Sequence, residues 1–412
     1  MGSLKYESIR ADFEKKVADF VGTRHAVLCS SGRSAIRFSL LALGNSSGDE
    51  VVVPDLTCEL LAHAVYGCGA KPRFCDVDQN TLALSHSDLQ KSINGDTKTI
   101  ILVHPFGFPV DPKPFQEIAE DKGIVIVEDA CQALGSTIDG KQAGSFGDVG
   151  IFSFNKFLDV ESGGAVVTDN DEIAERIRHV REENESKSHF ASIGYRLLTF
   201  LGLKSYKPLH SVFLSDNYLN ELLSLRFARK HFRIINHWIE ISPHLDELAE
   251  SKSLTDELMI LPGPYHNYVR RRLEVLEIAI LNFEFDTLQR RVQEAKQAAE
   301  FYRKNLEENR IRKLKVHENY SPSYLRYPII FNDDAARDRC IARLVGAGFK
   351  INYLYRPLHC SPFFTQNDGT NTMDASTYLS KHLLPLPLTP TVGREGAEEI
   401  TRIVNSKDMQ FA

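Results

Sequence analysis

Between Val27 and Thr168, short apolar runs alternate with amphipathic stretches at a spacing that leaves few folds open. Val27-Leu28-Cys29, Val51-Val52-Val53-Pro54, Pro72–Cys75, Thr99–His104, Ile124–Glu128, Gly150–Phe154 and Ala165–Thr168 read as strands. Helices are expected over 5–21, with Phe13, Val17 and Phe20 on one face, then over Ala35–Leu43, 59–67, from Ser85, and over 112–121. Continuously apolar strands separated by helices predict a mostly parallel sheet flanked by helices on both faces, an α/β fold. Ligands of such sheets bind beyond the carboxyl ends of the strands.

The chain has 412 residues, room for one large domain and a smaller one. The pattern predicts a large domain over 1–181, a helical insertion over 182–265, and a linking helix with a smaller C-terminal α/β domain over 266–412. In the last part, Leu273, Leu276, Ile280 and Leu281 mark a helical face within 272–308. Strand Leu325–Phe331, helix 334–347 and strand Lys350–Tyr355 follow. Within the insertion, residues 189–237 carry Arg196, Lys204, Lys207, Arg226, Arg229, Lys230 and Arg233 against only Asp216 and Glu221. That suits a helical excursion packed on the body or on a second subunit. A peripheral membrane contact or a phosphate contact is the alternative. A net charge of -6 gives no reason to expect nucleic acid. Seven cysteines without a C-x-x-C read as reduced packing residues. No signal peptide or membrane-length apolar run is visible, and a cytoplasmic protein is expected.

Three motifs fall at strand ends. Ser31-Gly32-Arg33-Ser34 opens a helix, where free N–H groups, the helix dipole and a guanidinium suit a phosphate. By itself the segment reads first as an N-cap with a turn glycine, and Arg33 tips the balance toward a phosphate. Asp129 follows an apolar strand and is either a ligand-facing acid or a helix cap; Gln132 lies one turn on. Glu128 points away from Asp129 by alternation, and His104 reads as structural. Ser153-Phe154-Asn155-Lys156 puts a hydroxyl and an amine three residues apart, before Gly163-Gly164. An acid, a phosphate-binding hydroxyl and an amine on one rim are what pyridoxal 5'-phosphate needs. The amine forms the Schiff base, the acid keeps the pyridine nitrogen protonated, and Gln132 reaches the phenolic oxygen. Burial between apolar strands is expected to lower the pKa of Lys156. His359, in Arg356-Pro357-Leu358-His359, is a substrate contact or a structural histidine.

These stretches resemble the DegT/DnrJ/EryC1/StrS family of fold-type-I pyridoxal-phosphate enzymes, the sugar aminotransferases. The resemblance rests on Ser31-Gly32-Arg33-Ser34-Ala35, Gly48-Asp49-Glu50-Val51-Val52-Val53-Pro54, Glu128-Asp129-Ala130 and Gly144-Ser145-Phe146-Gly147-Asp148-Val149-Gly150. Phe152-Ser153-Phe154, Gly163-Gly164-Ala165-Val166-Val167-Thr168, Pro357-Leu358-His359 and Leu384-Pro385-Leu386-Pro387-Leu388 extend it. It implies Lys156 as the Schiff-base lysine, Asp129 as partner of the pyridine nitrogen, and Gln132 against the phenolic oxygen. Gly32, Arg33, Ser34 and Ser153 would hold the phosphate. It further implies a homodimer with the site at the subunit interface. The family's Asn-Tyr-Arg element matches only loosely at Asn267-Tyr268 and Arg272, which stand as cofactor and substrate contacts respectively. Cys58 occupies the place after Thr57 where many members stack an aromatic on the cofactor. The Ser153–Lys156 spacing is two residues shorter than the commonest family form, and the arm before residue 5 is mostly absent.

The implied reaction is amino transfer, with L-glutamate as donor and a nucleotide-linked keto sugar as acceptor, in amino-sugar and polysaccharide biosynthesis. A sugar dehydratase of the same fold is the first rival; such relatives put histidine where Lys156 stands. A non-catalytic sensor or scaffold is the second.

Overall fold

The computed structural model describes residues 2–160, 162–185, 272–361, 363–364, 372–388 and 392–406. Helix α1 (Gly2–Val21) leads into β1 (His25–Cys29), α2 (Gly32–Ala42), β2 (Glu50–Pro54), α3 (Glu59–Tyr66) and β3 (Lys71–Cys75). The alternation continues with α4 (His86–Ser92), β4 (Thr97–Val103), α5 (Lys113–Lys122) and β5 (Val125–Asp129). A short hairpin, β6 (Thr137–Ile138) and β7 (Lys141–Gln142), precedes β8 (Val149–Ser153), β9 (Gly164–Thr168) and α6 (Asp171–Asn184).

Seven strands form one sheet in the order β1-β9-β8-β5-β4-β2-β3. Strands β8, β5, β4, β2 and β3 pair in parallel. Only β9 opposes its neighbours, so β1 points the same way as the parallel five. The carboxyl ends of β1, β8, β5, β4, β2 and β3 therefore share one rim. Every residue of β2, β8 and β9 is buried, as strands covered on both faces require. On one face lies α1, whose Phe13 and Val17 are buried as their spacing predicts, with Phe20 packed at the margin. On the other face lies α2, burying Ala35, Phe38 and Leu40.

Strand β1 is the sheet's edge, and an edge peptide facing outward needs a partner. Glu14 on α1 supplies one by accepting the Leu28 N–H at 2.8 Å. Arg181 on α6 supplies the other, donating to the Leu28 carbonyl at 3.2 Å and to Glu14 at 2.8 Å. Two helices thus clamp one peptide through a nearly buried ion pair.

Beyond the insertion come α7 (Val275–Phe285), α8 (Leu288–Asn305), β10 (Ile311–Lys313), β11 (Tyr320–Ser321), β12 (Tyr327–Phe331) and α9 (Asp334–Gly346). Helix α10 (Asp374–His382), β13 (Leu383–Leu386) and α11 (Gly393–Asn405) complete the order. The helix expected over 272–308 is two, broken at Asp286–Thr287. The smaller sheet, β10-β12-β13, is antiparallel throughout. The strand expected over Lys350–Tyr355 does not form: Tyr353 takes a left-handed φ of 61°, which no extended strand accommodates. Beyond the end of α6, the expected insertion lies outside the described residues, with its basic stretch and Asn267. All seven cysteines are free thiols. Among the described residues no helix is long and apolar enough to cross a membrane.

Arg181→Met strands the Glu14 carboxylate and the Leu28 carbonyl, and should cost about 3 kcal/mol of stability. The melting temperature checks this, and adding Glu14→Gln should cost less than the sum of the two single changes.

Candidate cofactor and substrate site

The rim gathers its polar residues by the register of the strands. Gly164 on β9 lies opposite both Cys29 and Ser153. A Cβ there would come within 2.5 Å of the Ser31 carbonyl carbon and 2.6 Å of the Gly32 nitrogen. Only glycine lets the turn after β1 settle on the rim. Ser31 then caps α2, its hydroxyl accepting the Ser34 N–H at 3.1 Å. The Ser34 hydroxyl is fully buried, 2.8 and 2.9 Å from those of Ser30 and Ser31, so it shapes the turn. A Cβ on Gly32 would sit 2.8 Å from the Cys131 sulfur and 2.9 Å from the Ser153 Cβ. The first turn of α2, the end of β8 and the residue two past Asp129 are therefore in direct apposition. The cap and the phosphate cradle coexist: the cap consumes one N–H and leaves the helix end facing Ser153.

Lys156 ends a 3-10 turn, Phe154–Lys156, that directly follows β8. Phe154 anchors it, fully buried with its ring 5.6 Å from Phe13 and 5.9 Å from Phe285. With Phe154 turned into the core, Lys156 is carried to the rim, in the electrostatic field of Asp129, Cys58, Cys131 and Tyr353. Burial pushes its pKa down as expected, but these neighbours outweigh it and the net shift is upward. That corrects the expected direction. The thiol of Cys131 is itself pushed far up by burial and by Asp129, so it is uncharged at neutral pH. Asp129 closes β5, nearly buried, with Oδ1 accepting the Cys131 N–H at 3.0 Å. Cys58, at the N-cap of α3, has its thiol raised by burial and is close enough to feel Lys156, Arg33 and Asp129.

Gln132 is locked by two bonds: Oε1 accepts the Phe106 N–H at 3.1 Å, and Nε2 donates to the Tyr355 hydroxyl at 3.0 Å. One amide hydrogen remains for a ligand. Glu128 does point away from Asp129, as alternation predicts. Its buried carboxylate accepts from His104 Nε2 at 2.8 Å and from the N–H groups of Gly144, Phe146 and Gly147. His104 Nδ1 accepts the Val110 N–H at 3.0 Å, so its ring proton resides on Nε2.

His359 reaches the rim at the end of β2, where Asp55 Oδ2 lies 2.7 Å from its Nδ1 and Oδ1 accepts its backbone N–H at 2.8 Å. Arg272 belongs to another group, stacked 4.0 Å over Tyr6 in the field of Glu185. Gly32, Arg33, Cys58, Asp129, Gln132, Ser153 and Lys156 are brought to one region, and Asn267 lies outside the described residues. Sequence reasoning missed Asp55, Tyr353 and Tyr355. For Asp55 a signal existed: like Asp129, it directly follows an apolar strand. The two tyrosines were hidden by reading their segment as a strand.

A DegT/DnrJ/EryC1/StrS aminotransferase family model matches residues 4–203 and 266–405. A GDP-perosamine synthase of Caulobacter vibrioides is 40% identical over 172 residues, 41% of this chain and 46% of that protein. A UDP-N-acetyl-3-dehydro-alpha-D-glucosamine 3-aminotransferase of Acidithiobacillus ferrooxidans is 39% identical over 186 residues, 44% and 50% of the two chains. The chain thus spans about half the length of these relatives. A solved DegT DnrJ EryC1 StrS aminotransferase from Brucella abortus superposes with a TM-score of 0.70 at 22% identity, covering 96% of this chain and 89% of that one. The PMP form of a sugar aminotransferase from Streptococcus pneumoniae gives 0.71 at 19%, covering 96% and 90%. At these identities the superpositions establish the fold, a fold-type-I transferase.

Two outcomes follow from the packing. Gly32→Ala drives a methyl into Cys131 and Ser153 and should weaken pyridoxal phosphate binding about tenfold or more, as measured by titration. His63, packed 5.1 Å from Phe364, is held down to about 4 by burial and by the Arg33 guanidinium. Its folded pKa lies below the ordinary histidine value, so its contribution is complete above about pH 6.5 and is lost as pH falls toward 4. The His63→Gln variant should lose less melting temperature between pH 7 and pH 5 than the parent does.

Proposed function

The chain belongs to the DegT/DnrJ/EryC1/StrS aminotransferase family, and from that premise we propose that it carries an amino group from L-glutamate to a keto sugar linked to a nucleotide. The observation that carries this reading is the convergence of Lys156, Asp129, Gln132 and the Gly32–Ser153 apposition on one rim. The donor set suits pyridoxal 5'-phosphate. A helix N-terminus with Arg33 and Ser153 takes the phosphate, and the closed approach at Gly32 leaves the backbone N–H groups accessible to it. When bound, that cofactor supplies an electron sink that acidifies the Cα–H of an amine joined to it.

The chain's own residues do the rest. Asp129 holds a proton at the pyridine nitrogen, a role suited to a carboxylate fixed by the Cys131 N–H. The amine of Lys156 would tether the cofactor and, once released by the donor, would carry a proton from the donor's Cα to the cofactor and, with the second substrate, from the cofactor to the sugar carbon. Its raised pKa in the free protein comes from its neighbours at the rim, Asp129 among them, outweighing burial. Gln132, immobilised by Phe106 and Tyr355, orients the ring through its remaining amide hydrogen. His359, oriented by Asp55, faces the rim as a substrate contact. A lysine at 156 argues against the dehydratase alternative. The working unit in this reading is a cytoplasmic homodimer in amino-sugar biosynthesis, with small-molecule substrates.

The visible spectrum of the purified protein tests this. Added pyridoxal phosphate should give the yellow absorption of a lysine-bound cofactor, which L-glutamate should bleach. The Lys156→Ala variant should show neither change. A colourless wild-type protein with excess cofactor would remove Lys156 from its role and the reading with it.

A further inference from the structure

The segment 350–357 carries the least comfortable backbone near the rim. Tyr353 holds φ at 61°, a conformation that costs an aromatic residue free energy and persists only where the surroundings impose it. Against this segment packs Arg326, just before β12. Its guanidinium lies 4.9 Å over the Tyr353 ring, and its Nε and Nη2 both donate to Asn352 Oδ1, at 3.0 and 2.8 Å. Nη1 donates to the Leu325 carbonyl at 2.7 Å. Three of the five N–H groups are thus satisfied by uncharged oxygens, and one hydrogen on each terminal nitrogen remains. Among the described residues no carboxylate pairs with this half-buried cation. Burial pulls its pKa below the ordinary arginine value, the signature of a desolvated charge without a counter-ion.

Its surroundings place it along the wall of the site. Tyr353 packs edge-on to Tyr355 at 6.4 Å, Tyr355 stacks on Phe106 at 6.0 Å, and the Tyr355 hydroxyl meets Gln132. Tyr353 also lies within the electrostatic reach of Lys156. A continuous layer of side chains therefore runs from Arg326 to the two residues expected to handle the cofactor. A planar fork with two unspent donors on its terminal nitrogens matches one group better than any other, a carboxylate bound bidentately.

We propose that Arg326, held by Asn352 and stacked on Tyr353, receives a carboxylate of the amino donor. This rests on the amino-transfer reading, and it selects the donor class: amino acids, with dicarboxylates such as L-glutamate included. Asn352 orients the fork and has no contact with the ligand. Tyr353 covers the guanidinium face and excludes water from one side of the ion pair. The alternative anion, the diphosphate of the sugar nucleotide, is an outcome of the test.

The experiment uses the cofactor-loaded protein and two readouts. The first is the glutamate concentration that half-saturates bleaching of the yellow absorption. The second is calorimetric titration with glutarate, a dicarboxylate that has no amine and cannot react. In Arg326→Gln, half-saturation by glutamate and the dissociation constant of glutarate should both rise roughly 10- to 100-fold, while the yellow absorption of the loaded protein stays in place. If Arg326→Gln cannot hold the cofactor, Arg326→Lys, which keeps the charge and loses the fork, is judged by the same two numbers, with a rise of at least about tenfold expected. Unchanged values in the folded variant overturn the proposal. So does a defect confined to the sugar-nucleotide half-reaction, which assigns Arg326 to the diphosphate. A wild-type protein that glutamate and other amino donors fail to bleach sinks the amino-transfer reading, a result distinct from either.

Discussion

The carboxylate of Glu128 has no contact with solvent, and the rest of the rim is arranged around satisfying it. A buried carboxylate without partners would be protonated or would unfold its surroundings. Here burial pushes the pKa up, but the His104 bond and the turn N–H groups outweigh it and the net shift is downward. Those donors come from the end of β4 and from the turn over 144–147, so one group fastens two loops to β5. Because side chains alternate along a strand, committing Glu128 to that interior commits Asp129 to the opposite side, facing the rim. A structural acid thereby positions the neighbouring ligand-facing one.

The same economy recurs at the second rim strand. Phe154 fills the aromatic cluster with Phe13 and Phe285, and its burial carries Lys156 outward two residues later. Only a short turn separates core from amine, so the Lys156 nitrogen is located by packing and not by a loop of its own. The Gly163-Gly164 doublet belongs to this arrangement: the Gly163 N–H bonds the Ser30 carbonyl at 2.7 Å, and Gly164 admits the Ser31–Gly32 peptide. Three strand ends are brought within contact by two residues that lack side chains.

What could be read from the sequence follows the physics of period and burial. Strands β2, β5 and β8 are continuous apolar runs, and parallel strands buried on both faces have no other way to be written. Their ends then name Asp129, Ser153 and Lys156 without further information. The C-terminal region was harder to read because its key segment, 350–357, has alternating residues but no strand. A left-handed Tyr353 is invisible in composition, and the guanidinium that packs on its ring comes from 27 positions upstream in the chain. The sign of the Lys156 shift was missed for a related reason. Burial could be anticipated from the neighbouring strands, whereas the Asp129 field depends on how two strand ends meet. Local pattern locates elements; electrostatics belongs to the contacts between them.

The charges gathered at the rim bear on what such a site can hold. Arg33, Lys156 and Arg326 bring positive charge toward it, and Asp129 is a carboxylate whose field reaches Lys156. Asp55 is already engaged by His359 and by burial, and Glu128 by His104. A desolvated guanidinium such as that of Arg326, with no carboxylate beside it among the described residues, is costly, and an anionic ligand relieves that cost. A carboxylate at Arg326 would do so. The site would then be most stable when filled, and it would favour ligands with an anion at a set distance from an amine. Neutral amines lack that anion and would gain nothing from the guanidinium, so selection among donors would follow from its missing counter-ion.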